Sequence, residues 1–187
     1  MSGYVMYDPT SGTVNAISTG TAPTPPSYLP ITSTQLSAAP EMDPAYYIVS
    51  NGSLEVNPNF WTQRGPYYIA RQIQRVKAGF QAAISAPFPY TNEAGVASSY
   101  ATDSQSLFIY SQAYENYVQA AQPLPSPFTI RDVNEVPQTF TVADITNLYR
   151  GIVAFQQSCN NSLNNFVASI QASTSYSACT SIVWVTP

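Results

Sequence analysis

Apolar residues recur at every third or fourth position from Ile145 to Ile170, a spacing that predicts one buried face of a long helix. Thr141 precedes this stripe and is placed to cap the helix, and Asp144 lies in the first turn, where a carboxylate suits the helix dipole. Most steps alternate between three and four residues, as in a coiled-coil-like seam. The seam consists of Ile145, Leu148, Ile152, Phe155, Cys159, Leu163, Phe166 and Ile170.

Two shorter helices are predicted before the long one. The first starts after Pro66 and is stopped by Pro87. The second opens at Thr102, with Gln105 placed for a capping box, and ends before Pro123. Their apolar faces are Ile69, Ile73, Val76 and Phe80 in the first, and Leu107, Tyr110 (or Ile109), Tyr114 and Tyr117 in the second. We expect the seam residues Leu148, Ile152, Phe155 and Phe166 to be buried against these two helices.

Short strands joined by turns are predicted around the helices. Residues 4–17 indicate a hairpin around a loop that ends in glycine, and residues 46–56 indicate a second one. The second is the clearer, because Asn51-Gly52 tolerates the two positive φ angles of a type I′ turn. In the helical region a hairpin followed by a helix occurs twice, with hairpins over residues 88–100 and 128–140.

Two further segments have a distinct composition. Pro23, Pro25, Pro26 and Pro30 favour extended backbone, so we expect residues 20–45 to form an arm that is poorly packed on its own domain. At the other end of the chain, Ile182–Val185 is apolar and β-branched and predicts a C-terminal strand.

These elements predict an α+β fold in two parts. Residues 1–62 form a β-rich N-terminal docking module with a proline-rich linker, built on β-hairpins. Residues 63–187 form a small three-helix domain with short hairpin insertions and a C-terminal strand. A chain of 187 residues can hold one sizeable core, with or without a small appended module.

Charged residues make up only 9% of the chain, and none is a histidine. Ordinary soluble domains are about 25% charged. Without histidine there is no side chain whose unperturbed pKa lies near neutrality and no imidazole to bind a metal. The chain has 14 Tyr, 8 Phe and 16 Pro instead, and a neutral, tyrosine-rich surface buries against neighbours without desolvating many ions. We therefore expect a binding protein and not an enzyme, with no cofactor and no metal ion.

Net charge, the N-terminal sequence and the cysteines further restrict the class of protein and its cellular compartment. The net charge of −4 has the wrong sign for electrostatic capture of nucleic acid. Residues 1–8 lack the basic and apolar regions of a signal peptide, and no apolar run approaches the roughly 18 to 20 residues of a membrane span. We expect synthesis in a cytoplasm and no membrane insertion. Cys159 and Cys179 could pair in principle, but a cytoplasmic origin favours free, partly buried thiols.

Two acidic pairs are candidates for chemistry: Glu41 with Asp43, and Asp132 with Glu135. A retaining glycosidase needs two carboxylates about 5 Å apart on opposite sides of a sugar. Both pairs lie in turn-like sequence, which favours solvated turn carboxylates, so a polysaccharide-degrading enzyme is disfavoured. Ser104 has no histidine to activate it, and helix capping explains it better.

Cations and tyrosines suggest contact surfaces. Arg71 and Arg75 lie one turn apart on a single helix face. The simpler interpretation is that this face is exposed to solvent. The more specific one is that it docks onto the carboxylates of a neighbouring protein, which the planar guanidinium group is suited to bind. The tyrosine stripe on the second helix is favoured as core. Because tyrosine is enriched at interfaces and in sugar-binding surfaces, contact with a glycan or receptor of a host stays open.

Two short blocks carry a resemblance to a known family. The first is residues 100–106 after a small hairpin, and the second joins residues 128–132 to residues 139–145 at the entry to the last helix. With the order of elements from Arg64 to about Ala172, these blocks resemble a domain of unknown function found in bacteriophage tail and tail-fibre proteins. The hairpin over residues 46–54 also looks like the small β modules that precede this domain.

The resemblance implies a structural component of the virion tail, in the fibre or the baseplate, which acts by binding other tail proteins. It supplies no active-site residues. Tail fibres commonly have threefold symmetry, so it favours a homotrimer. The alternative is a tail-fibre assembly chaperone, which leaves before the particle matures.

We expect such contacts to form at the far half of the seam, from Cys159 to Ile170. The two shorter helices are not expected to reach it, and an uncovered apolar stripe is a patch that soluble monomers avoid. We therefore expect this half, with the C-terminal strand, to contact another copy or a neighbouring tail protein. The interface candidates are Leu163, Phe166, Ile182 and Trp184, in addition to the two arginines.

Overall fold

The computed structural model describes residues 3–20 and 28–187 of the chain. The fold is mixed α+β, as predicted, with 50% of the residues helical and 21% in several small sheets. In chain order the elements are β1 (Gly3–Tyr7), β2 (Val14–Thr19), β3 (Tyr28–Ile31), α1 (Ser33–Ala38), β4 (Tyr47–Ser50), β5 (Ser53–Val56), α2 (Phe60–Ser85), β6 (Phe88–Thr91), β7 (Ala97–Tyr100), α3 (Ser104–Ala113), β8 (Thr129–Arg131), β9 (Pro137–Thr139), α4 (Val142–Gln171) and α5 (Tyr176–Thr180).

The chain divides into two compact units. The first comprises Met1–Gln72 and Ser169–Ile182, and the second comprises Ile73–Ala168 and Val183–Pro187. This division differs from the predicted one at residue 62, because the boundary falls inside α2 and a later segment of the chain belongs to the first unit.

The first unit contains a three-stranded antiparallel sheet in the order β2-β1-β3. The predicted N-terminal hairpin is confirmed as β1 and β2, with Val5 opposite Ile17. A small core of this unit combines Val5 and Val14 of the hairpin with Ile31, Ala39 and Tyr47 from the following segments, all at most 5% exposed. The hairpin of β4 and β5 is also confirmed, and its turn residues Asn51 and Gly52 have φ angles of 51° and 76°, as a type I′ turn requires.

The prediction of an extended arm over residues 20–45 is wrong for the part that the structure describes. Pro30 lies in β3, an edge strand paired with β1, and such a position tolerates a residue without an N–H donor. The capping box of Thr32 and Gln35 then starts α1, and Ile31 and Ala39 are buried. Residues 21–27, which include the other three prolines, lie outside the described residues.

Helix α2 begins at Phe60, so the predicted start after Pro66 is wrong. The oxygens of Asn57 accept hydrogen bonds from the backbone N–H groups of Asn59 and Phe60, which organises an earlier start, and Phe60 is 5% exposed. Pro66 removes one backbone donor, and the helix continues through it. The predicted stop is confirmed, since α2 ends at Ser85.

The second unit contains the same hairpin twice. Phe88 corresponds to Phe128 and Tyr100 to Phe140, a constant shift of 40 residues that holds along both ladders. Both turns are closed by the same bonds, because the N–H of Val96 donates to the side chain of Asn92 and that of Val136 to the side chain of Asp132. Each hairpin is followed by a helix, α3 or α4, so the recurring order seen in the sequence is a structural duplication.

The two helix starts differ in how well they were predicted. Thr141 and Asp144 cap α4 reciprocally: the Thr141 hydroxyl accepts from the Asp144 N–H, and the Asp144 carboxylate accepts from the Thr141 N–H. This cap is confirmed. Helix α3 is capped by Asp103 and not by Thr102, whose hydroxyl instead donates to the carbonyl oxygen of Ile84 at 2.9 Å. A π-helical turn, Tyr114–Gln119, follows α3.

The near half of the seam on α4 lies in the main core of the second unit, as predicted. Leu148 and Ile152 are 1% and 0% exposed, while Phe155 and Phe166 are only half-buried. Around Leu148 and Ile152 pack the buried residues Tyr100, Tyr110, Ala113, Tyr114, Ile130, Phe140 and Ile145. Farther along α4, Cys159 is fully buried with Phe80 and Ala83 of α2.

The predicted C-terminal strand is wrong. The described residues after α5 form no ladder. Their β-branched side chains favour a strand only where an edge is free to pair. This segment is held by side chains instead: the ring of Trp184 packs edge-on against Phe80 and Phe166, with centroids 5.8 and 5.6 Å away.

Candidate binding surfaces

Asp43 is the centre of a hydrogen-bonded cluster in the first unit. Its side chain accepts from Arg64 Nε at 2.7 Å and from the Tyr68 hydroxyl at 2.8 Å, and also from the backbone N–H of Ala45 at 3.0 Å. Burial alone would raise the pKa of Asp43, but these hydrogen bonds hold it below its ordinary value. Burial, with the hydrogen bond to Asp43, raises the pKa of Tyr68. The Asp43 carboxylate therefore fastens the segment before β4 to α2.

Asp144 has the same role in the second unit. It is 1% exposed and accepts from the Tyr90 hydroxyl and the Glu93 N–H, both at 2.8 Å. Burial opposes ionisation of this carboxyl, but its hydrogen bonds, from the Thr141 backbone above all, lower its pKa. Burial, reinforced by the bond to Asp144, raises the pKa of Tyr90 to about 12. The carboxylate thus joins the β6–β7 hairpin to the start of α4.

The acidic pairs lie in turns, as predicted, but the expectation that they are solvated is wrong for two members. Asp43 and Asp132 are 7% and 8% exposed. Asp132 accepts hydrogen bonds from the backbone N–H groups of Asn134 and Val136 at 2.8 and 3.0 Å, so it closes its own hairpin turn. When the backbone N–H groups of a short turn point at its first carboxylate, that carboxylate can be buried, because its hydrogen bonds replace water. Composition alone does not show this.

The structure engages Arg71, one of the two arginines of the predicted docking surface. Arg71 forms an ion pair with Glu41 of its own chain, so its carboxylate partner is internal. Arg75 is exposed, and its role as a docking residue stays a prediction.

The far half of the seam is covered by the chain itself, so the premise of the predicted interface there is wrong. Cys159 and Ile170 are both 0% exposed. Leu163 packs on the cluster around Phe80, and Phe166 packs on Trp184. Ile182 accepts a hydrogen bond at its backbone oxygen from the side chain of Gln72, 2.6 Å away. Contact of Leu163, Phe166, Ile182 and Trp184 with another copy stays a prediction, without the exposed stripe that motivated it.

Both cysteines are free thiols in the structure, and both are fully buried. Burial raises the pKa of the Cys159 and Cys179 thiols, which keeps them protonated and unreactive.

A groove of about 430 Å³ lies on the first unit, and we call it the aromatic groove. Its rings are held in place: the Trp61 indole N–H donates to the Ser173 carbonyl oxygen at 3.3 Å, and Tyr46 packs edge-on against Phe60 at 5.1 Å. Tyr176 packs in the same way on Tyr68 at 4.9 Å. The lining contains no charged residue and consists of Ala38, Pro40, Tyr46, Val56, Asn57, Pro58, Phe60, Trp61, Ser175, Tyr176 and Ser177.

A second groove, of about 700 Å³, lies on the second unit between α3 and the β8–β9 hairpin, and we call it the polar groove. Its lining mixes aromatic and aliphatic side chains with an amide, hydroxyls and both signs of charge. The residues are Ala101, Asp103, Gln105, Ser106, Ile109, Tyr110, Phe128, Thr129, Ile130, Arg131, Asp132, Val133 and Glu135.

Sequence reasoning missed both grooves. The aromatic groove combines Trp61 with Tyr176, which are distant in the chain, so no local pattern marks it. The polar groove had one available signal, the recurrence of a hairpin before a helix, because two hairpins that precede two helices create clefts between them.

Among the described residues, no group of three or more cysteine, aspartate or glutamate side chains is placed to hold a metal ion, and no helix there combines the length and apolar character of a membrane span. Comparisons of the chain with protein-family models, with curated proteins and with solved structures find no match.

Proposed function

We propose that this protein is a structural component of a bacteriophage virion tail, in the fibre or the baseplate, and that it acts by binding other tail proteins. The resemblance of residues 64–172 to a domain of phage tail proteins supports the tail assignment. The aromatic groove is the observation that carries the binding role, because it offers a preformed uncharged surface.

The chemistry of the aromatic groove favours a protein segment as its occupant. Its rings are fixed by edge-on packing, so little side-chain entropy is lost when a partner covers them. Tyr and Trp supply large contact areas, and the absence of charge in the lining avoids an ion desolvation penalty. The partner that fits is an uncharged, apolar or proline-bearing segment of another tail protein.

The state of the buried carboxylates supports binding over catalysis. Asp43, Asp132 and Asp144 each accept several hydrogen bonds that fasten turns or helix starts. Each has a lowered pKa, which leaves it a poor general acid or base near neutrality.

Incorporation of groove variants into particles tests the proposal. Val56 is 54% exposed and lines the aromatic groove, so Val56→Asp is expected to leave the fold intact and to abolish incorporation into tails. Val96 is 42% exposed and lies in a turn outside both grooves, and Val96→Asp is the matched control that should be incorporated normally. The measurement is the copy number of the chain in purified particles by quantitative mass spectrometry, with melting temperature as the check on folding.

Two outcomes contradict the proposal. If the wild-type chain is absent from mature particles but bound to tail proteins during assembly, the chain is an assembly chaperone. If Val56→Asp is incorporated as well as Val96→Asp, the aromatic groove is not the docking surface.

A further inference from the structure

The duplicated hairpins of the second unit differ in how they meet the helices. The first hairpin is closed onto α4 by polar contacts. The Tyr90 hydroxyl and the Glu93 N–H both donate to Asp144, and the Thr141 hydroxyl donates to the Glu93 carboxylate at 2.7 Å. These bonds join the hairpin to the start of the helix.

The second hairpin makes no such closure onto α3 within the described residues. Ile130 and Val133 stand where the first hairpin has Tyr90 and Glu93, and their side chains cannot donate or accept a hydrogen bond. The Val133 N–H, the counterpart of the Glu93 N–H, donates to the Ser99 carbonyl oxygen at 2.9 Å and not to α3. Asp103 keeps its bonds within the first turn of α3, to Gln105 and Ser106. The polar groove is therefore the open counterpart of a closed junction.

Glu135 distinguishes the turn that borders the polar groove. It has a φ of 62°, while its counterpart in the first hairpin is Gly95, with a φ of 80°. Glycine adopts this left-handed conformation at no steric cost, so a glutamate here lowers stability. The Glu135 carboxylate has no hydrogen-bond partner in the described part of the chain, so the side chain supplies no bond that offsets this strain. A ligand in the groove would make use of the carboxylate.

We propose that the polar groove is a binding site for a neutral oligosaccharide. Its volume lies within the roughly 300 to 1,000 Å³ range of small-molecule sites. Phe128, which is half-buried, and Ile109, which is 49% exposed, offer apolar surface for the C–H faces of sugar rings. Gln105, Thr129 and Glu135 offer an amide, a hydroxyl and a carboxylate for sugar hydroxyls.

The charges of the lining select against acidic ligands. Asp103, Asp132 and Glu135 are opposed by the single cation Arg131. Arg131 is itself engaged, because it donates to the Glu135 carbonyl oxygen at 2.6 Å. Phosphorylated or uronic-acid ligands would therefore be repelled. The site does not depend on the tail assignment and is separate from the aromatic groove.

Nuclear magnetic resonance titration of the full chain tests this site. The probes are maltotriose, cellotriose and chitotriose at millimolar concentration, with trigalacturonate as the acidic counterpart and tetra-alanine as a peptide. We expect at least one neutral trisaccharide to shift backbone amide signals of residues 103–109 and 129–135, and neither trigalacturonate nor tetra-alanine to do so.

Glu135→Gly is the decisive variant, because it removes the carboxylate and restores the glycine of the other hairpin. It should weaken binding of the trisaccharide by about tenfold, the loss of one hydrogen bond to a charged group, while raising the melting temperature. Glu55→Gln, which removes an exposed carboxylate from β5, is the matched control and should leave the affinity unchanged.

The proposal is overturned if no neutral trisaccharide shifts these signals, or if the shifts lie elsewhere. Binding of trigalacturonate or tetra-alanine alone would overturn it in favour of another ligand class. Unchanged affinity in Glu135→Gly would also overturn it, since the carboxylate would then have no role.

Discussion

Substitution of Asp43 by alanine probes how the first unit is held together. The carboxylate binds three donors from two parts of the chain: Ala45 in the turn before β4, and Arg64 and Tyr68 on α2. Removal of the side chain leaves all three donors without this partner, and their local surroundings decide the loss in stability.

The three losses differ in size. The Tyr68 hydroxyl belongs to a residue only 3% exposed and would retain only a 3.4 Å contact with the Pro40 carbonyl oxygen, so loss of the Asp43 acceptor costs about 1 to 3 kcal/mol. Loss of the cap on the Ala45 N–H adds about 1 kcal/mol. The Arg64 side chain is 41% exposed and regains water, so its ion pair contributes less than about 1 kcal/mol. We expect Asp43→Ala to destabilise the first unit by about 2 to 5 kcal/mol.

The assay must report the first unit alone. The chain has two tryptophans, so Trp184→Phe leaves Trp61 as the only indole and retains an aromatic ring at position 184. Urea unfolding followed by Trp61 fluorescence then compares Asp43→Ala with Glu41→Ala. Glu41 forms an ion pair with Arg71 in which the two side chains are 31% and 42% exposed, so its removal should cost less than about 1 kcal/mol.

The pH dependence supplies a second test. The folded-state pKa of Asp43 is lowered, so its stabilisation is fully present above the unfolded value near 3.8 and is lost as the pH falls through the folded value. The difference between wild type and Asp43→Ala should be constant from about pH 7 to pH 5 and shrink below about pH 4. Equal destabilisation by Asp43→Ala and Glu41→Ala, or a difference that grows on acidification, would refute this account.

Further predictions concern other parts of the fold. In the second unit, Ile152→Ala should cost about 2 to 5 kcal/mol in urea unfolding, while Val153→Ala at an exposed neighbour should cost less than about 0.5 kcal/mol. Tyr100→Phe should raise the melting temperature, because the buried Tyr100 hydroxyl has no partner in the described residues and Phe140 occupies the equivalent position. Gly52→Ala should destabilise the β4–β5 hairpin by about 1 kcal/mol in thermal unfolding, since its φ is 76°.

Elements set by residues close in sequence could be predicted. Asn51-Gly52 specifies its turn through its own backbone preferences, and Thr141 with Asp144 caps α4 through contacts three residues apart. The long seam could also be predicted, because a buried helix face has apolar residues at every third or fourth position whichever element packs against it. These interactions are local, so one sequence contains all of the information they need.

Proline and β-branched residues misled the prediction because their effect depends on neighbours. Pro30 has no backbone N–H to donate, which rules out a central strand but not an edge strand. Pro66 removes one bond from α2 without ending it. Residues 182–185 have high β-propensity, but propensity produces a strand only beside a free edge, and Trp184 packs on Phe80 instead.

The candidate sites depended least on local signals. In the two copies of the hairpin, the turns and ladders are alike, and these are the features that a sequence pattern reveals. The difference that matters lies where Tyr90 and Glu93 of one copy are replaced by Ile130 and Val133 of the other. The Tyr90 hydroxyl and the Glu93 N–H reach Asp144 and close the junction. Ile130 has no polar side chain, and the Val133 N–H donates to the Ser99 carbonyl oxygen instead. Both copies keep the hairpin, so the differences at these two positions change the junction and not the fold. A duplicated element can in this way carry a groove in only one of its copies.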